Sequence, residues 1–233
     1  MIKNKNILII GGSSGIGLAL ADLLSSSNNI YIASRSSDNL SGLNAHHITF
    51  DATSESLDTS LLPEKLDGFV YCPGSINLRP FKGLSVEAFE KDFQINVTGA
   101  INSLKNVLGN LSASGNASIV FFSTVAVQTG MPFHSSVAAS KGAIEGLTRS
   151  LAAEFAPKIR VNAIAPSLVN TPLASKFLNN DTKLEKANER HPLGRIGSAK
   201  EIAQATAFLL GEESSWMTGR VLQLDGGIGN LKT

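Results

Sequence analysis

Apolar residues in this chain gather into short runs separated by polar punctuation, and the runs are of two kinds. The first kind is short and largely apolar, with Ile7 to Ile10 continuous rather than alternating, and includes Ile30 to Ala33, Ile48 to Phe50, Phe69 to Tyr71, Ala117 to Phe122, Ile159 to Ile164 and Val221 to Leu224. Such runs suit parallel strands covered on both faces better than half-exposed ones. The second kind recurs at helical spacing. It includes Leu20, Leu23 and Leu24, then Phe89, Phe93, Asn96, Ala100, Leu104, Val107 and Leu111 within a long helix over 84–111, and Ile144, Leu147, Leu151 and Phe155. A further helix runs from Ala199 to Leu210. Strands alternating with helices predict an α/β fold, one doubly wound parallel sheet of about seven strands with helices on both faces. Only fourteen residues separate the second and third runs, so the helix between them is reduced to a turn or lost.

Chemistry enters where the first strand stops, in Ile7-Leu8-Ile9-Ile10-Gly11-Gly12-Ser13-Ser14-Gly15-Ile16-Gly17. A buried strand feeding a glycine-rich turn and a helix predicts a phosphate cradle. Gly12 permits the turn, Gly15 lets backbone approach a pyrophosphate, and Gly17 lets the helix pack on the strand. Ser13 and Ser14 add hydroxyls and amides beside a helix N-terminus that attracts anions. At the end of the second strand an acidic residue would select NAD(H), but Ser34 and Arg35 stand there. A neutral hydroxyl and a guanidinium favour NADP(H); the alternative is a solvated arginine at a strand end.

Composition narrows the picture. The chain has 233 residues, 42% of them hydrophobic, and nothing divides it, so residues 1–233 read as one dinucleotide-binding domain. A net charge of +1 without a basic run argues against nucleic acid. The lone cysteine, Cys72, excludes an internal disulfide and fits a reducing compartment. The first apolar run is too short for a signal peptide or a membrane span, which makes the cytoplasm the expected location.

The glycine turn, with the spacing G-x-x-x-G-x-G, resembles that of the short-chain dehydrogenase/reductase family, although Gly11 stands where the family usually has threonine. The resemblance continues through nearly the whole chain. Phe93 to Gly99 fits F-x-x-N-V-x-G, Val137 to Ala143 is similar to Y-S-A-S-K-G-A, and Ala165 to Thr171 is similar to A-P-G-x-V-x-T. Pro192-Leu193-Gly194-Arg195 and the ending Asp225-Gly226-Gly227 look like the bacterial β-ketoacyl-carrier-protein reductase branch. The resemblance implies a Rossmann-type domain acting on a small carbonyl or alcohol, assembled as a homotetramer or homodimer through the helices at 84–111 and 135–155. It places Asp51 and Ala52 at the adenine, Gly74 near the cofactor by its backbone, and Pro166, Val169 and Thr171 around the nicotinamide carboxamide and a phosphate. Asn96 would hold a water near Lys141, Thr124 would orient the substrate oxygen, and Lys141 would hold the nicotinamide ribose. For Asn96 the alternative is an amide that braces its helix, for Lys141 a solvated side chain, and for Asp51 a cap before Ser54 and Glu55. No metal site is read.

Three further stretches depart from the family pattern. Tyr71-Cys72-Pro73 replaces the N-N-A that commonly precedes Gly74, Ser167 replaces a glycine, and Val137 replaces the catalytic tyrosine. Valine cannot transfer a proton. His134, seven residues before Lys141, lies only about 20° from it around a helix axis and has the Y-x-x-x-x-x-x-K spacing of the family's enoyl reductases. An imidazole exchanges a proton near neutral pH, so His134 is the substitute acid if the helix begins early enough; Pro132 would otherwise leave it in a loop rimming the pocket. Two readings follow: an NADP(H)-dependent oxidoreductase with an atypical site, or a catalytically silent dinucleotide-binding partner or sensor. The stretch from Pro172 to Arg190 reads as a polar, mobile substrate lid.

Overall fold

The short apolar runs form a parallel sheet. In the computed structural model, which describes residues 2–54 and 56–231, strand β1 (Asn6–Ile10) enters the glycine turn, and helix α1 (Gly15–Leu24) leaves it. Then come β2 (Asn29–Ser34), β3 (Ala45–Thr49), β4 (Gly68–Tyr71), α2 (Val86–Phe93), α3 (Gly99–Ser114), β5 (Ala117–Phe122) and the short α4 (Ala126–Thr129). Helix α5 (Ser135–Phe155), β6 (Ile159–Pro166), β7 (Val169–Asn170), α6 (Asp181–Glu189), β8 (Gly197–Ser198), α7 (Ala199–Leu210) and β9 (Val221–Leu224) complete the chain. Seven strands pair in parallel in the order β3-β2-β1-β4-β5-β6-β9, while β7 and β8 make a separate two-residue ladder.

Alternate side chains of each strand face opposite layers. Leu8, Ile10, Phe69, Tyr71, Ile119 and Phe121 pack toward α3 and α5, whereas Ile7, Ile9, Val70, Val120, Phe122 and Ile164 pack toward α1 and α7. The chain runs outward to β2 on one side of β1 and to β4 on the other. The carboxyl ends of β1 and β4 therefore flank the crevice where open parallel sheets bind ligands.

The ten residues between β2 and β3 form turns with no helix, as their number predicts, and only a 3-10 turn (Thr59–Leu61) stands between β3 and β4. The third strand is Ala45–Thr49 rather than 48–50. It is an edge strand, so His46 and His47 belong to it and break the apolar run that marks the others; His46 stacks on Tyr31 with ring centroids 4.9 Å apart.

The long helix expected over 84–111 is interrupted. A π turn at Gln94–Thr98 separates α2 from α3, and its wider winding changes the phase of the apolar stripe. Phe93, expected on the core face, is 44% exposed, and Asp92 is buried in its place. Tyr71 donates its hydroxyl to the Ile95 carbonyl at 2.7 Å inside this turn. Residues 172–190 fold as a 3-10 turn (Pro172–Phe177) followed by α6. Ser198 and Glu201 close a capping box at the start of α7. Among the described residues no helix is long and apolar enough to cross a membrane.

Candidate active site

Two adjoining cavities open along the carboxyl edge of the sheet, one of about 570 Å³ beside the glycine turn and one of about 450 Å³ beside α5 and α6. Ile16, Cys72, Gly74, Thr171 and Leu173 line both.

The larger cavity is bounded by Gly11, Ser13, Ser14, Gly15, Ile16 and Gly17. Its backbone differs from expectation at one point: the residue that turns with positive φ is Gly11 (+75°), with Gly15 (+54°) after it, and Gly12 does not line the cavity. Gly12 is needed for closeness instead, since a Cβ there would lie 2.9 Å from Cγ2 of Ile32. A Cβ on Gly17 would lie 2.5 Å from the Gly11 carbonyl oxygen, which accounts for the third glycine. Thr171 faces this turn, its Cβ 3.5 Å from where a Gly15 Cβ would be.

Ser34, Arg35, Asp51 and Ala52 line the far end of the same cavity. The Ser34 hydroxyl donates to the Ser36 carbonyl at 2.9 Å and lies 3.1 Å from Nε2 of His47. Arg35 is exposed and faces the cavity. Asp51 accepts the Thr53 hydroxyl at 2.6 Å and the Thr53 amide at 2.9 Å, and these bonds, with a smaller contribution from Arg35, hold its carboxyl below the usual range. No helix follows directly on Asp51 among the described residues, so it closes a turn over 51–53 rather than capping a helix; Glu55 lies outside the described residues. No group of three or more His, Cys, Asp or Glu among the described residues is placed to hold a metal.

The smaller cavity gathers Thr124, His134 and Lys141, with Pro166, Val169 and Thr171 on its opposite wall. Thr124 follows β5. Ser123, one residue earlier, points away as strand alternation predicts and donates to Glu145 at 2.8 Å. Lys141 lies one helical turn after Val137, which is buried and also lines the cavity. Its side chain is 8% exposed, and its ammonium has no hydrogen-bond partner among the described residues. Desolvation lowers its pKa from 10.5 to about 8, against an opposing pull from Cys72 and Asp92. The half-buried Cys72 thiol is pushed up to about 12 by desolvation, which makes it a poor nucleophile.

His134 falls just outside α5, at the N-cap position, because the helix begins at Ser135. Its carbonyl accepts the Ala138 amide at 2.7 Å and so closes the first helical turn. Its Nδ1 lies 2.7 Å from the Pro132 carbonyl. A carbonyl only accepts, so Nδ1 carries the proton and Nε2 is left without a partner among the described residues.

Asn96 lines neither cavity but lies directly behind Gly74, whose missing Cβ would sit 3.4 Å from Asn96 Oδ1 and 3.6 Å from Lys141 Nζ. The amide donates to Ser75 Oγ and Ser140 Oγ, each at 3.0 Å, and accepts the Ser75 backbone amide at 3.3 Å. The network continues to Asp92, which accepts Ser75 at 2.6 Å and Ser136 at 2.5 Å. Sequence reasoning missed Ser75, Asp92, Ser136 and Ser140, since 44 residues separate Asp92 from Ser136 and no local pattern links them. It also missed a Ser167 and His191 pair on the cavity wall: His191 Nδ1 donates to the Ala187 carbonyl at 2.7 Å and its Nε2 lies 2.8 Å from the Ser167 hydroxyl. The one available signal was Ser167 standing where the motif has glycine.

Comparison with known proteins agrees with this geometry. The family model described as enoyl-(acyl carrier protein) reductase matches residues 12–229. A 2,5-dichloro-2,5-cyclohexadiene-1,4-diol dehydrogenase of Sphingobium indicum is 34% identical over 97% of both chains. A short-chain dehydrogenase/reductase of Botryotinia fuckeliana is 34% identical over 96% of both. Among solved structures, a gluconate 5-dehydrogenase of Burkholderia cenocepacia in complex with NADP and tartrate superposes with a TM-score of 0.89 at 25% identity, covering 99% of this chain and 97% of that one. With a glycine turn after β1, a seven-stranded parallel sheet and these relatives along its full length, the chain belongs to the short-chain dehydrogenase/reductase family of Rossmann-fold oxidoreductases.

Proposed function

We propose that residues 1–233 act as one NAD(P)-binding domain that transfers hydride between NADP(H) and a small carbonyl or alcohol substrate. The observation that carries this reading is Lys141: a buried residue whose ammonium reaches the smaller cavity beside Gly74, which lines both cavities, and has no hydrogen-bond partner among the described residues. Desolvating an ammonium without a hydrogen bond is costly and calls for a ligand that supplies one. A dinucleotide fits the larger cavity, because Gly11 and Gly15 hold backbone conformations that side chains resist and Gly17 and Gly74 keep Cβ atoms out of the way.

NADP(H), when bound, supplies the hydride. The chain's own residues do the rest. Gly11 to Gly17 and Thr171 hold the phosphates with backbone amides and a hydroxyl at the start of α1. Arg35 takes the 2′-phosphate, and Asp51 and Ala52 border the adenine. Lys141 holds the nicotinamide ribose, Pro166 and Val169 shape the nicotinamide pocket, and Asn96 fixes Ser75 and Ser140 beneath it. Thr124 donates to the substrate oxygen. Val137 stands at the family's tyrosine position, and His134 exchanges the proton in its place, with Nε2 as base for an alcohol and Nε2–H of the charged ring as acid for a carbonyl. The enoyl reductase description of the matching family model is in keeping with the seven-residue spacing from His134 to Lys141. The motifs at 192–195 and 225–227 support a likeness to the β-ketoacyl-carrier-protein reductase branch, the expected location is the cytoplasm, and the expected assembly is a homotetramer or homodimer through α3 and α5.

Fluorescence titration with NADPH and NADH tests the cofactor assignment. NADPH is expected to bind more tightly by about tenfold or more, the worth of one charge-assisted phosphate contact. Equal affinities would remove Arg35 from the 2′-phosphate, and failure of either to bind would remove the function.

A further inference from the structure

Lys141 is not the only cation on the smaller cavity. Lys176, Lys183, Lys186 and Arg190 line it too, and among the described residues no aspartate or glutamate does. The chain as a whole has 20 lysines and arginines against 19 acids, so this imbalance is not inherited from composition. It is built by the phase of α6. At about 100° per residue, Lys183, Lys186 and Arg190 fall within an arc of about 60°, while Asp181, Glu185 and Glu189 centre about 130° away around the axis. The three cations line the cavity and the three acids do not. An ordinary solvated helix gains nothing from sorting its charges by sign in this way; it would intermix them in stabilising pairs.

Two of these cations are held in place. Lys176 donates to the Ile76 carbonyl at 2.9 Å, and Lys183 to Asn179 Oδ1 at 2.8 Å. Lys186 and Arg190 have no hydrogen-bond or ion-pair partner among the described residues. A low-dielectric cleft carrying one sign of charge raises the local concentration of the opposite ion.

Building on the oxidoreductase reading, we propose that the substrate is an anion: a small carbonyl or alcohol with an apolar body, whose far end carries a carboxylate or phosphate received by Lys183, Lys186 and Arg190. Its reacting carbon would lie toward Thr124 and Lys141, and its charged end toward α6. The apolar part of the wall, with Ile76, Met131, Val137 and Phe177, suits the body between them.

The test uses matched probes on the full protein loaded with NADP+, a state in which a ketone binds without turnover. Calorimetry would compare 6-oxoheptanoate and 4-(3-oxobutyl)benzoate with their methyl esters. The acids are expected to bind about tenfold more tightly than the esters at low salt, with the margin shrinking as ionic strength rises. The double variant K186Q/R190Q, which removes no hydrogen bond within the protein, is expected to erase most of that margin while NADPH affinity stays within about twofold. Equal binding of acid and ester, failure of both acids to bind, a margin that survives in the variant, or a variant whose main loss is in NADPH affinity would each overturn the proposal. If the acids bind with the expected margin but neither they nor any ketone, acyl thioester or enone is reduced when NADPH is supplied, the anion site stands and the oxidoreductase reading falls.

Discussion

Replacing Lys141 with methionine should make the cofactor-free protein more stable and less able to bind its cofactor. The residue is 8% exposed, and burial lowers its pKa from 10.5 to about 8. A difference of two to three pKa units corresponds to about 3 kcal/mol of penalty against the charged form in the folded state. The unfolded chain binds more protons than the folded one between about pH 8 and 10.5, so stability rises with pH across that window. The penalty is fully present below about pH 8 and is gone above 10.5. Methionine has a similar length and no charge, so Lys141→Met should gain up to about 3 kcal/mol at pH 7, and the gain should shrink toward zero by about pH 10.5. Urea denaturation of parent and variant at a series of pH values measures this directly, because the difference between the two cancels every other titrating group. Parallel stability profiles, or a variant less stable at pH 7, would refute the claim that the ammonium is held at a cost in the empty site. The same variant should lose NADPH affinity, which would make Lys141 a residue whose placement serves binding at the expense of stability.

Other predictions concern the remaining parts of the site. Arg35→Asp should weaken NADPH by about 1–3 kcal/mol while leaving NADH nearly unaffected, and an unchanged NADPH titration would return Arg35 to the solvent. Gly17→Ala places a Cβ 2.5 Å from the Gly11 carbonyl oxygen, so it should destabilise the protein by about 1–3 kcal/mol and weaken NADPH and NADH alike. A variant that melts and binds like the parent would show that the turn relaxes without consequence. His134→Ala should lower turnover roughly 10²–10⁴-fold with NADPH affinity unchanged, and a rate within a few-fold of the parent would exclude the imidazole as proton carrier.

What could be read from the sequence was set by burial. The interior strand β5 was legible to the residue, because a strand covered on both faces is mostly apolar. At the sheet edge that requirement lapses, and His46 and His47 hid the start of β3. Helical phase was legible in α5 and α7, but in α2 it failed at the π turn, where a backbone hydrogen-bond shift with no signature in composition exchanged Phe93 for Asp92 on the buried face. In the glycine turn, spacing identified the residues but not their conformations, so the left-handed position fell on Gly11 rather than Gly12. The site was legible where a short motif holds its members together, as around Lys141. It was opaque where partners meet across the fold, as Asp92 does with Ser75 and Ser136, and Ser167 with His191. The charge sorting of α6 was present in the sequence all along, but only its position against the cavity gives it meaning.

The central claim is that this pair of cavities carries out hydride transfer even though Val137 stands beside Lys141. Single-turnover mixing of the NADPH-loaded protein with a panel of ketones, acyl thioesters and enones, followed by the absorbance of the reduced nicotinamide, addresses it most directly. Stoichiometric NADPH oxidation with at least one class, lost in His134→Ala, is the expected result; tight NADPH binding with no oxidation by any class would overturn hydride transfer and leave a silent dinucleotide-binding protein.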